Sequence, residues 1–129
     1  MRLLLAMSVF ASQRCRLRSY LLMDAGNTRI KWALVEGGQW QTDSFTLGTG
    51  EFDGLASALA TLKRPEAVAV SNVRGERFAE SLQQWVKAHW GLTVFFAASE
   101  SAWSFLRNGY LDPRSLGVDR WVCLIGAFN

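Results

Sequence analysis

Between Tyr20 and Leu47 the chain makes three strand-like runs with no room for a helix between them. Residues 20–24 (YLLMD) read as a buried strand that ends in an acid. Residues 29–36 (RIKWALVE) set Ile30, Trp32 and Leu34 on one face and Lys31 on the other, the period-two signal of a strand. Gly37-Gly38 follows, a two-residue hairpin turn signal, and residues 39–47 (QWQTDSFTL) pair back as a third strand. The chain therefore opens as a hairpin-linked meander, and whatever comes later must pack on that sheet.

The pattern then changes period. Phe52, Leu55, Leu59 and Leu62 recur at helical spacing, which predicts a helix over 51–63, with Pro65 as its stop. Residues 66–73 (EAVAVSNV) are a short apolar run and read as a buried strand. A helix over 75–90 carries Phe78, Leu82, Trp85, Val86 and Trp90 on one stripe and is capped by Gly91. Residues 92–98 (LTVFFAA) predict another buried strand. Asn108-Gly109 and Pro113 predict irregular structure over 99–116, and a last helix runs from about Gly117 to the C-terminus. The order β-β-β-α-β-α-β-α implies an α/β fold, a mixed five-stranded sheet with helices packed on it. The sequence contains no internal repeat, low-complexity tract or linker, and 129 residues fit one domain. The closing LIGAFN has neither cap nor tail and reads as a chain cut short.

The first eighteen residues stand apart. An apolar run from Leu3 to Ala11 is followed by arginines, superficially like a signal peptide. It lacks a clean cleavage site, and it is too short to span a bilayer. Residues 1–18 are therefore read as an extension outside the fold, with 19–129 as the domain. The extension also explains the net charge of +3. Arg2, Arg14, Arg16 and Arg18 belong to it, and without them the fourteen basic residues fall to ten, against eleven acidic ones. A near-neutral body argues against nucleic acid as partner. Cys15 and Cys123 are far apart and form no metal-spacing pattern, so they read as free thiols of a reducing compartment, the cytoplasm.

Two segments carry chemistry. The first is Asp24-Ala25-Gly26-Asn27-Thr28 at a strand end. Successive N–H groups in such a turn can form an anion nest, with Gly26 permitting positive φ and Asn27 and Thr28 adding neutral donors. Asp24 repels phosphate but can hold Mg²⁺, which bridges phosphates, and Lys31 can reach a phosphate oxygen from the polar face of the next strand. The same residue types also build an ordinary hairpin turn capped by Asp24. Neither the G-x-x-x-x-G-K-[ST] loop nor the G-x-G-x-x-G fingerprint is present. The second segment, Gly117-Val118-Asp119-Arg120, puts an acid and an arginine at a helix start. There Asp119 is favoured as a carboxylate and can accept a hydroxyl proton in phosphoryl transfer, while Arg120 can grip a substrate carboxylate bidentately. The alternative is an Asp N-cap with an arginine on a solvated face. His89, the single histidine, has no Ser or Cys constellation around it and reads as structural or surface. The six tryptophans read as core, with Trp121 packing the last helix.

Taken together, DAGNTRIKWAL and NGYLDPRSLGVDRW resemble the type III pantothenate kinases of the ribonuclease-H-like, actin-like ATPase superfamily. The residues that match the family pattern are Asp24, Gly26, Asn27 and Thr28, then Asn108, Tyr110, Pro113, Leu116, Gly117, Asp119 and Arg120. SNV at 71–73 sits where the family has a short strand-end motif, and the resemblance covers roughly 18–129. It implies ATP-dependent phosphorylation of pantothenate, the first step of coenzyme A synthesis. It implies Asp119 as the base, with Tyr110, Gly117 and Arg120 binding pantothenate. It also implies ATP phosphates on 24–28 with Mg²⁺, a monovalent cation (K⁺ or NH₄⁺), and a homodimer. Members of the family carry a second, similar domain, which this chain does not include, so the expectation is the N-terminal half of a kinase. The alternative is a non-catalytic regulatory or remnant protein that keeps the fold.

Overall fold

The computed structural model describes residues 18–46, 52–104 and 106–127. The expected extension falls outside them except for Arg18, as do Cys15, Leu47, Glu51 and the last two residues. The meander forms as its pattern predicts. Strands β1 (Ser19–Ala25), β2 (Arg29–Glu36) and β3 (Gln39–Thr46) pair antiparallel in chain order. Gly37 and Gly38 both take positive φ, 55° and 80°, the double left-handed turn that joins twisted strands without splaying them. Next come α1 (Phe52–Ala60), β4 (Ala67–Asn72), α2 (Glu76–Trp90), β5 (Val94–Phe96) and α3 (Val118–Ala127). β4 lies parallel to β1, and β5 parallel to β4, giving the sheet order β3-β2-β1-β4-β5.

Three predicted spans shrink or change. The first helix ends at Ala60 because Thr61 and Leu62 donate to the carbonyls three residues back, the tightening that closes a helix. Within 92–98 only Val94–Phe96 joins the sheet, and the N–H of Val94 goes to the Gln83 side chain of α2 instead. Residues 99–116 are not simply irregular. They hold a two-strand ladder, β6 (Ala102–Trp103) with β7 (Leu106–Arg107), and a 3₁₀ turn over Pro113–Ser115.

The two faces of the sheet are covered by different elements. Leu21, Met23, Ile30, Trp32, Val68 and Val70 pack on one side with Leu55 and Leu59 of α1 and Leu82 and Val86 of α2. The alternate residues Leu22, Ala33, Val35 and Ala69 pack on the other side with Val122 of α3. Burial on both faces is why β2 is apolar at Ala33 and Val35 as well as at its alternating positions. The outer side of α3, through Trp121 and Ile125, packs with Leu116, Trp103 and Leu106. Trp121 is thus core, as are Trp32 and Trp90, while His89 lies exposed and stacked on Trp85. Among the described residues no helix is long and apolar enough to cross a membrane.

Candidate functional site

Strand alternation decides which side chains can meet. Leu22 faces α3, so Asp24, two residues on, faces the same way at the open end of β1. Its register neighbours are Lys31 on β2 and Ser71 on β4. α3 crosses this face, and Val122 pins it there. Asp119, in the first turn of α3 and three residues before Val122, is brought over the same strand ends. Lys31, Asp24 and Ser71 therefore form a row across three strands, with Asp119 close enough to act on Asp24.

The electrostatics record that approach. Burial pushes the Asp24 carboxyl above its ordinary range, Lys31 pulls it back, and the negative charge of Asp119 raises it again. The Cys123 thiol, one helical turn beyond Asp119, is also raised, first by burial and then by Asp119 and Asp24. It is exposed and free. Asp24 and Asp119 are the residues of this face that could hold a divalent cation. Among the described residues no three of His, Cys, Asp and Glu cluster. The arrangement therefore fits Mg²⁺, which takes one or two carboxylates and completes its shell with phosphate and water, better than an all-protein cage.

The loop after Asp24 is open to solvent at Asn27 and Thr28. Gly26 is needed here for a different reason from the one its type suggests. It is not in the left-handed region; its N–H donates to the Arg29 carbonyl at 3.1 Å, and a Cβ would stand 2.9 Å from that oxygen. Close backbone approach, not positive φ, excludes a side chain.

The loop is held from the end of β4 by Asn72, which lies in the SNV segment, and by Arg74, which sequence reading passes over. The Asn72 side chain accepts from the N–H of Arg74 and donates to the Gly75 carbonyl, which folds the chain into a turn. That turn sends Arg74 across to the loop, where one terminal guanidinium nitrogen donates to the carbonyls of Gly26 (2.9 Å) and Asn27 (2.6 Å). Two carbonyls of the loop are thereby tied to the turn that follows β4. The guanidinium also lies 5.5 Å from the Phe78 ring centroid. Among the described residues, the buried side-chain polar atoms without a hydrogen-bond partner are Ser71 Oγ and Arg74 Nε. Both flank this loop. An unpaired buried hydroxyl costs about 1–3 kcal/mol.

Two side chains of the second motif, Asn108 and Asp112, hold the loop before α3. Asn108 donates to the carbonyls of Glu100 and Pro113 and accepts from the N–H of Tyr110, which fixes the loop before α3. Asp112 caps the 3₁₀ turn by accepting from the N–H of Arg114 at 3.0 Å, with Pro113 at its first position. The only sequence signal for this was the Asn-Gly and Asp-Pro turn chemistry. The carbonyl of Gly117 accepts the first bond of α3, from Trp121, so Asp119 lies inside the helix and is not its N-cap. A Cβ on Gly117 would stand 2.7 Å from Asp119 Oδ1. Gly117 thus leaves room for the carboxylate.

Of the expected site residues, Asp24, Lys31 and Asp119 come together, with Gly26, Asn27 and Thr28 at the same strand end. Arg120 is exposed beside Asp119. Tyr110, half exposed, lines a separate cavity of about 420 Å³ with Arg107, Leu116 and Leu124.

Residues 20–129 match the family model described as type III pantothenate kinase. A type III pantothenate kinase of Nitrosococcus oceani is 39% identical over 107 residues, covering 81% of this chain and 40% of the relative. One from Burkholderia ambifaria is 39% identical over 111 residues, covering 85% of this chain and 42% of the relative. One from Alkalilimnicola ehrlichii is 35% identical over 109 residues, covering 84% and 44%. The chain thus spans about two-fifths of the length of the curated relatives it matches. A solved structure from Bacteroides thetaiotaomicron, described as a protein with actin-like ATPase fold and unknown function, superposes with a TM-score of 0.53 at 14% identity. It covers 71% of this chain and 37% of that one, and it supports the actin-like fold.

Proposed function

The chain belongs to the type III pantothenate kinase family, and we propose that the activity it serves is ATP-dependent phosphorylation of pantothenate to 4′-phosphopantothenate, the first step of coenzyme A synthesis. The observation that carries the proposal is the convergence of Asp24 and Asp119, from opposite ends of the domain, on one strand-end face beside the 26–28 loop. One carboxylate can hold a cation, and the other can take up the proton of a reacting hydroxyl.

In this reading the Asp119 carboxylate accepts the proton of the pantothenate primary hydroxyl as its oxygen attacks the γ-phosphorus of ATP, and ADP leaves. Asp24 would hold Mg²⁺, which would supply positive charge against that of the phosphates. The N–H groups of Asn27 and Thr28 and the Lys31 ammonium meet the phosphates, on a loop whose shape Gly26 sets through its bond to Arg29. Arg120 grips the pantothenate carboxylate, Gly117 borders it beside Asp119, and Tyr110 contributes to pantothenate binding from the cavity it lines. A requirement for K⁺ or NH₄⁺ and a homodimeric state are proposed for the whole protein; we assign none of the described residues to the monovalent cation. The working location is the cytoplasm, with neither nucleic acid nor membrane as partner.

The test is formation of 4′-phosphopantothenate by the protein at its native length, beside Asp119→Asn. The variant should lose about 10²–10⁴-fold in kcat while still binding pantothenate. Full activity in Asp119→Asn would remove Asp119 as the base. A wild-type protein that binds ligands but forms no product would favour the non-catalytic reading.

A further inference from the structure

We infer that Ser71 is a ligand-facing residue of the cation–phosphate site, its hydroxyl reserved for a divalent-cation-bound phosphate held beside Asp24. The inference rests on the nucleotide-site reading above and adds to it a residue from a third strand. Ser71 is 1% exposed, yet its Oγ has no hydrogen-bond partner. Its place in the sheet explains where that oxygen is directed. Val68 and Val70 of β4 face α1 and α2, whereas Ala69 faces α3, so Ser71 faces α3 with Asp24 as its register neighbour. A serine that served only to pack would bond a nearby carbonyl, as Ser99 does to Leu116 and Ser57 does to Asp53. Ser71 does not, although it is buried in β4 beside the paired strand β1. The other unpartnered buried atom, Arg74 Nε, lies three residues on, in the segment that holds the 26–28 loop.

A hydroxyl both donates and accepts. It can donate to a phosphate oxygen or accept from a water of the cation's shell, without adding charge to a site that already holds two carboxylates. A third acid at this position would raise Asp24 further, and an alanine would leave the ligand one bond short.

The experiment compares wild type with Ser71→Ala, at native length, by thermal unfolding without ligand, with Mn²⁺ alone, and with Mg²⁺ plus a non-hydrolysable ATP analogue. The expected result has two opposite signs. Without ligand, Ser71→Ala melts at or above the wild-type temperature, since an unsatisfied buried hydroxyl has been removed. With the Mg²⁺–nucleotide, its affinity is about tenfold weaker, the effect of one good hydrogen bond. A loss with Mn²⁺ alone assigns the hydroxyl to the cation's shell, and a loss only with nucleotide assigns it to phosphate; either supports the inference. Ser71→Cys, which keeps the volume with a weak donor, should bind with intermediate affinity. A ligand-free melting temperature well below wild type with unchanged nucleotide affinity would show a packing serine and overturn the inference while leaving the nucleotide site intact. A wild-type protein that binds no nucleotide would overturn the site reading itself, and the inference with it.

Discussion

Replacing Arg74 with alanine removes the tie that holds the 26–28 loop against β4. The side chain makes two charge-assisted hydrogen bonds, at 2.9 and 2.6 Å, and a cation–ring contact at 5.5 Å. Because the arginine is only half-buried, each bond is taken near the low end, about 1 kcal/mol, and the ring contact at about 0.5 kcal/mol. The expected loss is therefore about 2–3 kcal/mol, or roughly 6–12 °C in Tm for a domain of this size. Urea unfolding measures the total. Amide hydrogen exchange then locates it. The N–H of Gly26, bonded to Arg29, and that of Val73, bonded to Ala25, should exchange faster, while amides in the middle of β1 keep their protection relative to global unfolding. Arg74→Lys keeps the charge but not the planar fork and should fall between the two. A loss below about 0.5 kcal/mol with unchanged protection at Gly26 would refute the reasoning, because the loop would then hold its shape without the arginine.

Two further substitutions separate fold from chemistry. In Gly117→Ala the new Cβ meets Asp119 Oδ1 at 2.7 Å, but that oxygen is the end of a movable side chain, so stability should change by no more than about 1 kcal/mol. The displaced carboxylate should cost about 10²-fold in kcat with KM for ATP little changed; wild-type kcat would show that the room beside Gly117 is incidental. Asp24→Asn tests the raised carboxyl. Since burial raises its pKa in the fold, the native state favours the protonated form, and that stability is lost as pH rises from about 4 through the raised value. Urea midpoints at pH 4 and pH 7 should therefore show the variant gaining on wild type at the higher pH, while Mg²⁺–nucleotide binding is lost. A variant equally destabilised at both pH values would contradict the burial argument.

Much of the fold was legible before any coordinates. The alternation in 29–36 and the Gly37-Gly38 turn specify a hairpin locally, and the apolar stripe of 75–90 specifies a helix and its buried side. The candidate site was proposed on residue types alone: an acid at a strand end, a glycine turn, and an acid at a helix start. The structure supplied different reasons for two of the glycines. Gly26 answers to the carbonyl of Arg29, and Gly117 to the carboxylate of Asp119. The small ladder at 102–107 was not legible, because strands two residues long leave no period to read, and the adjoining loop is fixed by the side-chain bonds of Asn108.

What the sequence alone determined is what depends on neighbours along the chain: strand period, turn chemistry, helix stripe and the family motifs. Which charges meet was decided by tertiary structure. Asp24 and Asp119 act on each other because Val122 buries against Leu22 and Ala69, which lays α3 across one face of the sheet and not the other. Ser71 and Arg74 enter the site because β4 lies parallel to β1 in a register that sets Ser71 beside Asp24 and carries Arg74 to the loop. Burial of apolar area selects that packing. The polar groups at the strand ends are positioned by it, and no local pattern in the chain encodes where they arrive.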